Sequence, residues 1–300
     1  MMKLGFSSLA CPEWDLETIA AKASAMGYSG VELHGLQGEW HLPRVPILAN
    51  HPDQVRRMFQ AHKLELVCLS TDATLSSCWR GEVSRQEAAM TEFIELAAGL
   101  GCRYVRLEAG AVDWSDNPQL ALSRVAQALA SLAPSAAARG ITLVVENGST
   151  FPGSQELWFV VDAVGHPAVR GCWNQYHAMA IRERPTVSIP RLANRISIVH
   201  LCDGAFDDRG ALLGQKPLGE GNVDIARQIE LLKGIMYDEY LIFEWPKALV
   251  GLLPGPEKVL RDALTHLRQL LDAKQSVLSA YKGDKYAPKM ASRTATCATQ

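Results

Sequence analysis

One hydropathy pattern recurs eight times along the chain: a short run of β-branched and large apolar residues, then a longer stretch whose apolar positions return every three to four residues. The short runs are KLGFSS (3–8), GVELHG (30–35), LELVCLS (64–70), RYVRLEA (103–109), ITLVVEN (141–147), VRGCWN (169–174), ISIVHLCD (196–203) and YLIFEW (240–245). They are near-continuously apolar rather than alternating, the pattern of parallel strands covered on both faces. The stretches DLETIAAKASAMG, SRQEAAMTEFIELAAGLG, NPQLALSRVAQALASLAPSAAARG and GPEKVLRDALTHLRQLL predict helices, with Asp, Ser or Asn near their starts and Gly after several of their ends.

Eight βα units predict an α/β protein with a single (β/α)8 TIM barrel over residues 1–275. An open doubly wound sheet usually has fewer strands and a Gly-rich first turn, and no G-x-G-x-x-G follows the first run. Residues 276–300 lose the apolar period and gain Lys, Thr and Ala, so they are expected to form a C-terminal tail.

Composition narrows the partners. A net charge of −2 and a pI near 6.5 supply no broad basic field for nucleic acid or an anionic membrane. Seven scattered Cys lack any C-x-x-C pair, which argues against a disulfide framework or a zinc knuckle. No apolar run approaches the ~20 residues of a membrane span. The expectation is a cytoplasmic protein with a small-molecule ligand, no nucleic-acid or membrane partner, and homo-oligomerisation left open.

A (β/α)8 barrel places its site at the C-terminal ends of the strands. The polar residues there are Ser7, Ser8, Glu32, His34, Ser70 to Asp72, Glu108, Glu146, Asn147, Asn174, His200, Asp203 and Glu244. A carboxylate closing LVVE and another closing LIFE are costly to bury without a cation or hydrogen bonds to compensate them. Taken singly, His34 and Glu108 fit a pocket wall and plain packing equally well. Asp203 reads most simply as orienting His200 or a loop backbone. Arg209 and Lys216, in the loop after the seventh run, could reach a substrate anion or remain solvated, while Lys247 could pair with a carboxylate or a substrate oxygen. Several Trp lie near strand ends, where a wall for a sugar ring and ordinary packing are both open.

In order and spacing, LVVENGST, CWNQYHA, IVHLCDG, LGEGNVD and FEWPK resemble the xylose isomerase-like TIM-barrel proteins grouped as sugar phosphate isomerases/epimerases. That resemblance implies one divalent metal at Glu146, Asn174, His200 and Glu244, with Glu146 and Glu244 also acting as the catalytic acid/base pair and His177 binding a substrate oxygen. His34, Glu108, Arg209 and Lys247 complete the expected substrate contacts. Two carboxylates and an imidazole suit Mn²⁺ first, with Mg²⁺, Co²⁺ or Zn²⁺ as alternatives. The implied activity is isomerisation or epimerisation of a sugar or polyol ketone through an enediolate. An inosose- or dehydroshikimate-type dehydratase and a metal-free sugar-binding protein are the rival readings. Position 174 departs from the family: an Asp is expected there, and Asn keeps the oxygen while dropping the charge. No phosphate cradle is recognisable, which favours an unphosphorylated substrate. A phosphodiester-cleaving metal cluster would need more strand-end His and Asp and a basic groove.

Overall fold

Strands form where the apolar runs lie. The computed structural model describes residues 1–112 and 115–273; the tail expected over 276–300 lies outside them. The barrel strands are β1 (Lys3–Ser7), β2 (Gly30–Leu33), β3 (Glu65–Thr74), β4 (Tyr104–Glu108), β5 (Thr142–Glu146), β6 (Val169–Asn174) and β7 (Ile196–Leu201), closed by the strand Tyr240–Phe243. This last strand, β10, pairs in parallel with both β7 and β1, so the sheet has no free edge. All eight predicted strands are present.

The run after β7, expected to be a plain loop, instead forms an antiparallel hairpin of β8 (Asp203–Phe206) and β9 (Leu212–Lys216) above the barrel. Its turn, Asp207 to Gly210, is closed by the Asp207 carboxylate, which accepts the backbone N–H groups of Arg209 and Ala211.

The predicted helices are present at Leu16–Met26, Arg80–Leu100, Pro118–Ala138 and Pro256–Asp272. Asp15 caps the first by accepting the Thr18 N–H, and Asn117 caps the third by accepting those of Gln119 and Leu120.

Two apolar layers follow from strand alternation. Outward residues such as Leu143, Val145, Trp173, Val199, Leu241 and Phe243 join the large core beneath the helices. Inward residues Val67, Cys68, Tyr104, Val144, Cys172, Ile198, Tyr240 and Ile242 fill the barrel itself. The floor is tight: a Cβ on Gly30 would meet Val67 at 2.5 Å and Tyr240 at 2.8 Å, so Gly is what allows the Tyr240 ring to plug the bottom. Above this plug the inward positions turn polar, and Glu32, Arg106, Glu146, Asn174, His200 and Glu244 are all buried there. Among the described residues no helix is long and apolar enough to cross a membrane.

Candidate active site

His200 stands at the centre of the polar layer with no exposed surface. It is set there by β7, in register with Asn174 on β6 and Ile242 on β10. Its Nδ1 lies 3.0 Å from Glu146 Oε1 and 3.3 Å from Glu244 Oε1. Its Nε2 lies 2.8 Å from Glu32 Oε2. Burial disfavours the imidazolium, but Cys172, Glu146, Glu244 and Glu32 outweigh it and raise the His200 pKa well above its ordinary value.

Glu146 is the most heavily compensated carboxylate. The Arg106 guanidinium pairs with its Oε2 and reaches Glu108 Oε1 at 2.8 Å with the same arm. Burial would raise the Glu146 pKa, yet Arg106 and His200 hold it well below the usual carboxylate range. Sequence reasoning assigned no part to Arg106 or Glu32. Arg106 could have been found as the lone charge inside an apolar strand, and Glu32 as a strand-end carboxylate opposite a strand-end His.

Asn174 answers the question its position raises. Its Oδ1 accepts the Tyr176 N–H at 3.1 Å, capping the short helix Gln175–Ala178. That hydrogen bond turns the amide nitrogen inward, where it donates to Glu146 Oε1 at 2.9 Å and Glu244 Oε2 at 3.2 Å. The residue therefore offers the site a donor that bridges two carboxylates. Asn147 holds the surrounding backbone, accepting the Asn174 N–H and donating to the Asn174 carbonyl.

Asn174→Asp would replace this donor with a third carboxylate facing two others. The metal-free variant is expected to lose about 2 kcal/mol or more of stability, with Mn²⁺ restoring the loss. Calorimetric melting with and without Mn²⁺ measures both effects, and an unchanged metal-free melting temperature would count against the bridging role.

The other expected site residues divide into those at the mouth and those elsewhere. His177 Nε2 stands 3.8 Å from Glu146 Oε1 and is about one-third exposed, so it looks onto the site from above. Glu108 lies at the same level, accepting from Arg106 and from Ser149 Oγ at 3.0 Å. His34 Nε2 meets Asp72 Oδ1 at 3.2 Å, and its buried Nδ1 has no hydrogen-bond partner. Together with Ser8, Trp14 and Trp40 it lines a cavity of about 210 Å³ at the rim. Lys247 lies elsewhere: its ammonium donates to the carbonyls of Gly251 and Leu253, tying down the loop after β10. Arg209 is exposed in the hairpin turn, and Lys216 is exposed at the end of β9.

Asp203 orients loop backbone, one of the two roles read for it. Its carboxylate accepts the N–H groups of Gly204, Gly219, Gly221 and Val223. A Cβ on Gly221 would collide with Asp203 Oδ1, so this cradle requires Gly there.

The closed parallel barrel agrees with the family comparison, in which the description "xylose isomerase-like TIM barrel" matches residues 20–270. The chain belongs to this family. No curated protein matches it. Among solved structures, the IOLI protein with a binding zinc atom superposes with a TM-score of 0.79 at 18% identity, covering 90% of this chain and 98% of that one. L-ribulose 3-epimerase gives 0.77 at 18%, covering 96% and 100%. D-psicose 3-epimerase with D-tagatose, from Clostridium cellulolyticum H10, gives 0.75 at 15%, covering 91% and 100%. At these identities the likeness is one of fold.

The donor set fits a divalent metal ion. Ligand-capable atoms of Glu32, His200 and Glu244 lie within 4.8 Å of one another, as do those of Glu146, Cys172 and His200. One Glu32 oxygen is buried with no hydrogen-bond partner, a state that a bound cation relieves.

Proposed function

We propose that the protein is a divalent-metal-dependent isomerase or epimerase of an uncharged sugar or related polyol ketone. The observation that carries this reading is the pair of buried carboxylates, Glu146 and Glu244, which meet at His200 Nδ1 in the barrel mouth. The sugar 3-epimerase names borne by structural neighbours support it.

Glu146 and Glu244 form the proton-transfer pair: one takes a proton from the carbon between a hydroxyl and a carbonyl, and the other returns one from the opposite side or to the neighbouring carbon. His200 and Glu244, with a further carboxylate, would hold a divalent ion, Mn²⁺ by preference, and when bound that ion would supply Lewis-acid charge stabilisation. Asn174 holds the two glutamates at a fixed separation through its amide. His177 and Glu108, at the level above, are placed to hydrogen-bond substrate hydroxyls, and His34 with the two Trp forms the wall toward the rim. The rim cavity is lined by no Lys or Arg, which supports an unphosphorylated substrate. Arg209 and Lys247, expected among the substrate contacts, are not among these residues.

The test is incubation of the Mn²⁺-loaded enzyme with neutral ketohexoses, ketopentoses and inososes in D₂O, followed by NMR. The expected result is deuterium at a carbon next to the carbonyl, together with the epimer or the shifted carbonyl. Loss of a β-hydroxyl would identify a dehydratase instead. Binding without exchange would identify a sugar-binding protein.

A further inference from the structure

The loops that follow β1, β2 and β10 enclose the rim cavity of about 210 Å³, and much of its wall is hydrocarbon, from Pro12, Trp14, Leu36, Trp40 and Ala248. It adjoins the polar cluster directly. Glu32, which meets His200, stands in register with Ser7 of β1. Ser8, next along the chain from Ser7, and His34, two residues beyond Glu32, both belong to the cavity wall. At the rise of an extended chain, His34 lies roughly 7 Å nearer the rim than Glu32, one layer of side chains above the reacting groups. On the β10 side the Ala248 N–H donates to the Leu9 carbonyl and closes the wall.

Many hydrogen-bond acceptors in this lining are already engaged. Ser8 Oγ donates to the Gly35 carbonyl and accepts the His34 N–H. The carbonyls of Ser8, Cys11, Leu36 and Trp40 accept the N–H groups of Cys11, Trp14, Glu39 and Leu42. His34 turns Nε2 toward Asp72, and its unpartnered Nδ1 is itself buried, out of reach of an entering group. The two indole N–H groups can donate but not accept. A hydroxyl moving into this space therefore finds little to take its proton, whereas a methyl group meets ring faces and aliphatic carbon.

We propose that this cavity is the specificity pocket for the end of the substrate remote from its carbonyl, and that this end is apolar: the substrate is a deoxy-ketose, or a hydroxy-ketone ending in a short alkyl group, rather than a fully hydroxylated ketose. The assignment rests on the isomerase or epimerase reading above and narrows its substrate class. Size agrees with it, because 210 Å³ falls below the ~300–1,000 Å³ of pockets that hold a whole ligand and suits one end of a small molecule whose other end lies at Glu146 and Glu244. The walls are also braced in advance. The His34 and Trp40 rings meet edge to face at 5.7 Å, and the Lys22 ammonium stands over the Trp14 ring at 5.2 Å.

The experiment compares kcat/KM for 6-deoxy ketohexoses with that for the ketohexoses of the same configuration, in both the D and L series, using deuterium exchange by the Mn²⁺-loaded protein. The 6-deoxy member of the preferred pair is expected to be better by roughly 10- to 100-fold, the range in which an apolar pocket rejects an added hydroxyl. Ala248→Ser places an acceptor in the wall and Trp40→Ala opens the wall to water, so each is expected to bring the ratio down toward one. Should Trp40→Ala not fold, Ala248→Ser carries the comparison alone. A ratio near or below one in the unmodified protein, or a ratio that neither variant moves, overturns the pocket assignment, while the exchange itself leaves the isomerase reading standing. If no member of either series exchanges, the isomerase reading falls, and crystals of the unmodified protein soaked with the 6-deoxy ketohexoses decide the pocket. A methyl group seated between Trp14 and Trp40 supports it, and a hydroxyl-bearing carbon there, or an empty cavity, overturns it.

Discussion

Glu244→Gln and Glu146→Gln are each expected to lower turnover by about 10²–10⁴-fold, the range carried by a positioned general acid or base. Gln preserves shape and the ability to accept the Asn174 amide, which donates to both residues, but it cannot take or return a proton. The measurement is kcat on the best neutral ketose found by deuterium exchange, with Mn²⁺ saturating so that any metal defect is removed. A two-base mechanism predicts that both variants fail. If each loses proton exchange at only one stereochemical face of the substrate, the pair is assigned residue by residue. Near-normal turnover in either variant would falsify the two-base mechanism.

Arg106→Met is expected to destabilise the metal-free protein by about 3–5 kcal/mol, because it leaves Glu146 ionised and buried without its main counter-charge. In a domain of this size that corresponds to a fall in melting temperature on the order of 10 °C. The double variant Arg106→Met/Glu146→Gln removes both charges and should recover much of the loss. If the single variant melts within 2 °C of the unmodified protein (roughly 1 kcal/mol or less), the guanidinium is not the internal counter-ion described here.

The fold was legible because strands buried on both faces leave little room for polar residues. Where LVVE, IVH and LIFE end in a charged or titratable group, the break in an otherwise apolar run marks the barrel mouth. The same logic applied to RYVRLEA exposes Arg106 in mid-strand, yet the sequence cannot say that its two neighbours are Glu108 on its own strand and Glu146 on the next. Glu32 was visible as a strand end, but its partner His200 lies 168 residues further on, beyond any local pattern. The direction of the Asn174 amide was hidden for a different reason, since it is set by one backbone N–H two residues later. Lys247 shows the opposite failure: its position just past Glu244 suggested a site contact, and the chain folds its ammonium onto nearby loop carbonyls instead. The hairpin after β7 carried a signal in Asp207-Asp208-Arg209-Gly210, a turn-forming run between Phe206 and Leu212.

Asp203 gathers N–H groups from the hairpin and from the segment 219–223, and Asn222 adds reciprocal hydrogen bonds with the Phe206 backbone. The rim above β7 is therefore bonded chiefly to itself, and it rests on the β6 side through Tyr176, whose hydroxyl donates to Gln215. Such a rim behaves as an interchangeable cassette. Its exposed tip, Asp208 and Arg209, can change sequence without disturbing the barrel below, which offers a route by which a lineage could alter which substrates enter while the proton-transfer groups stay where they are.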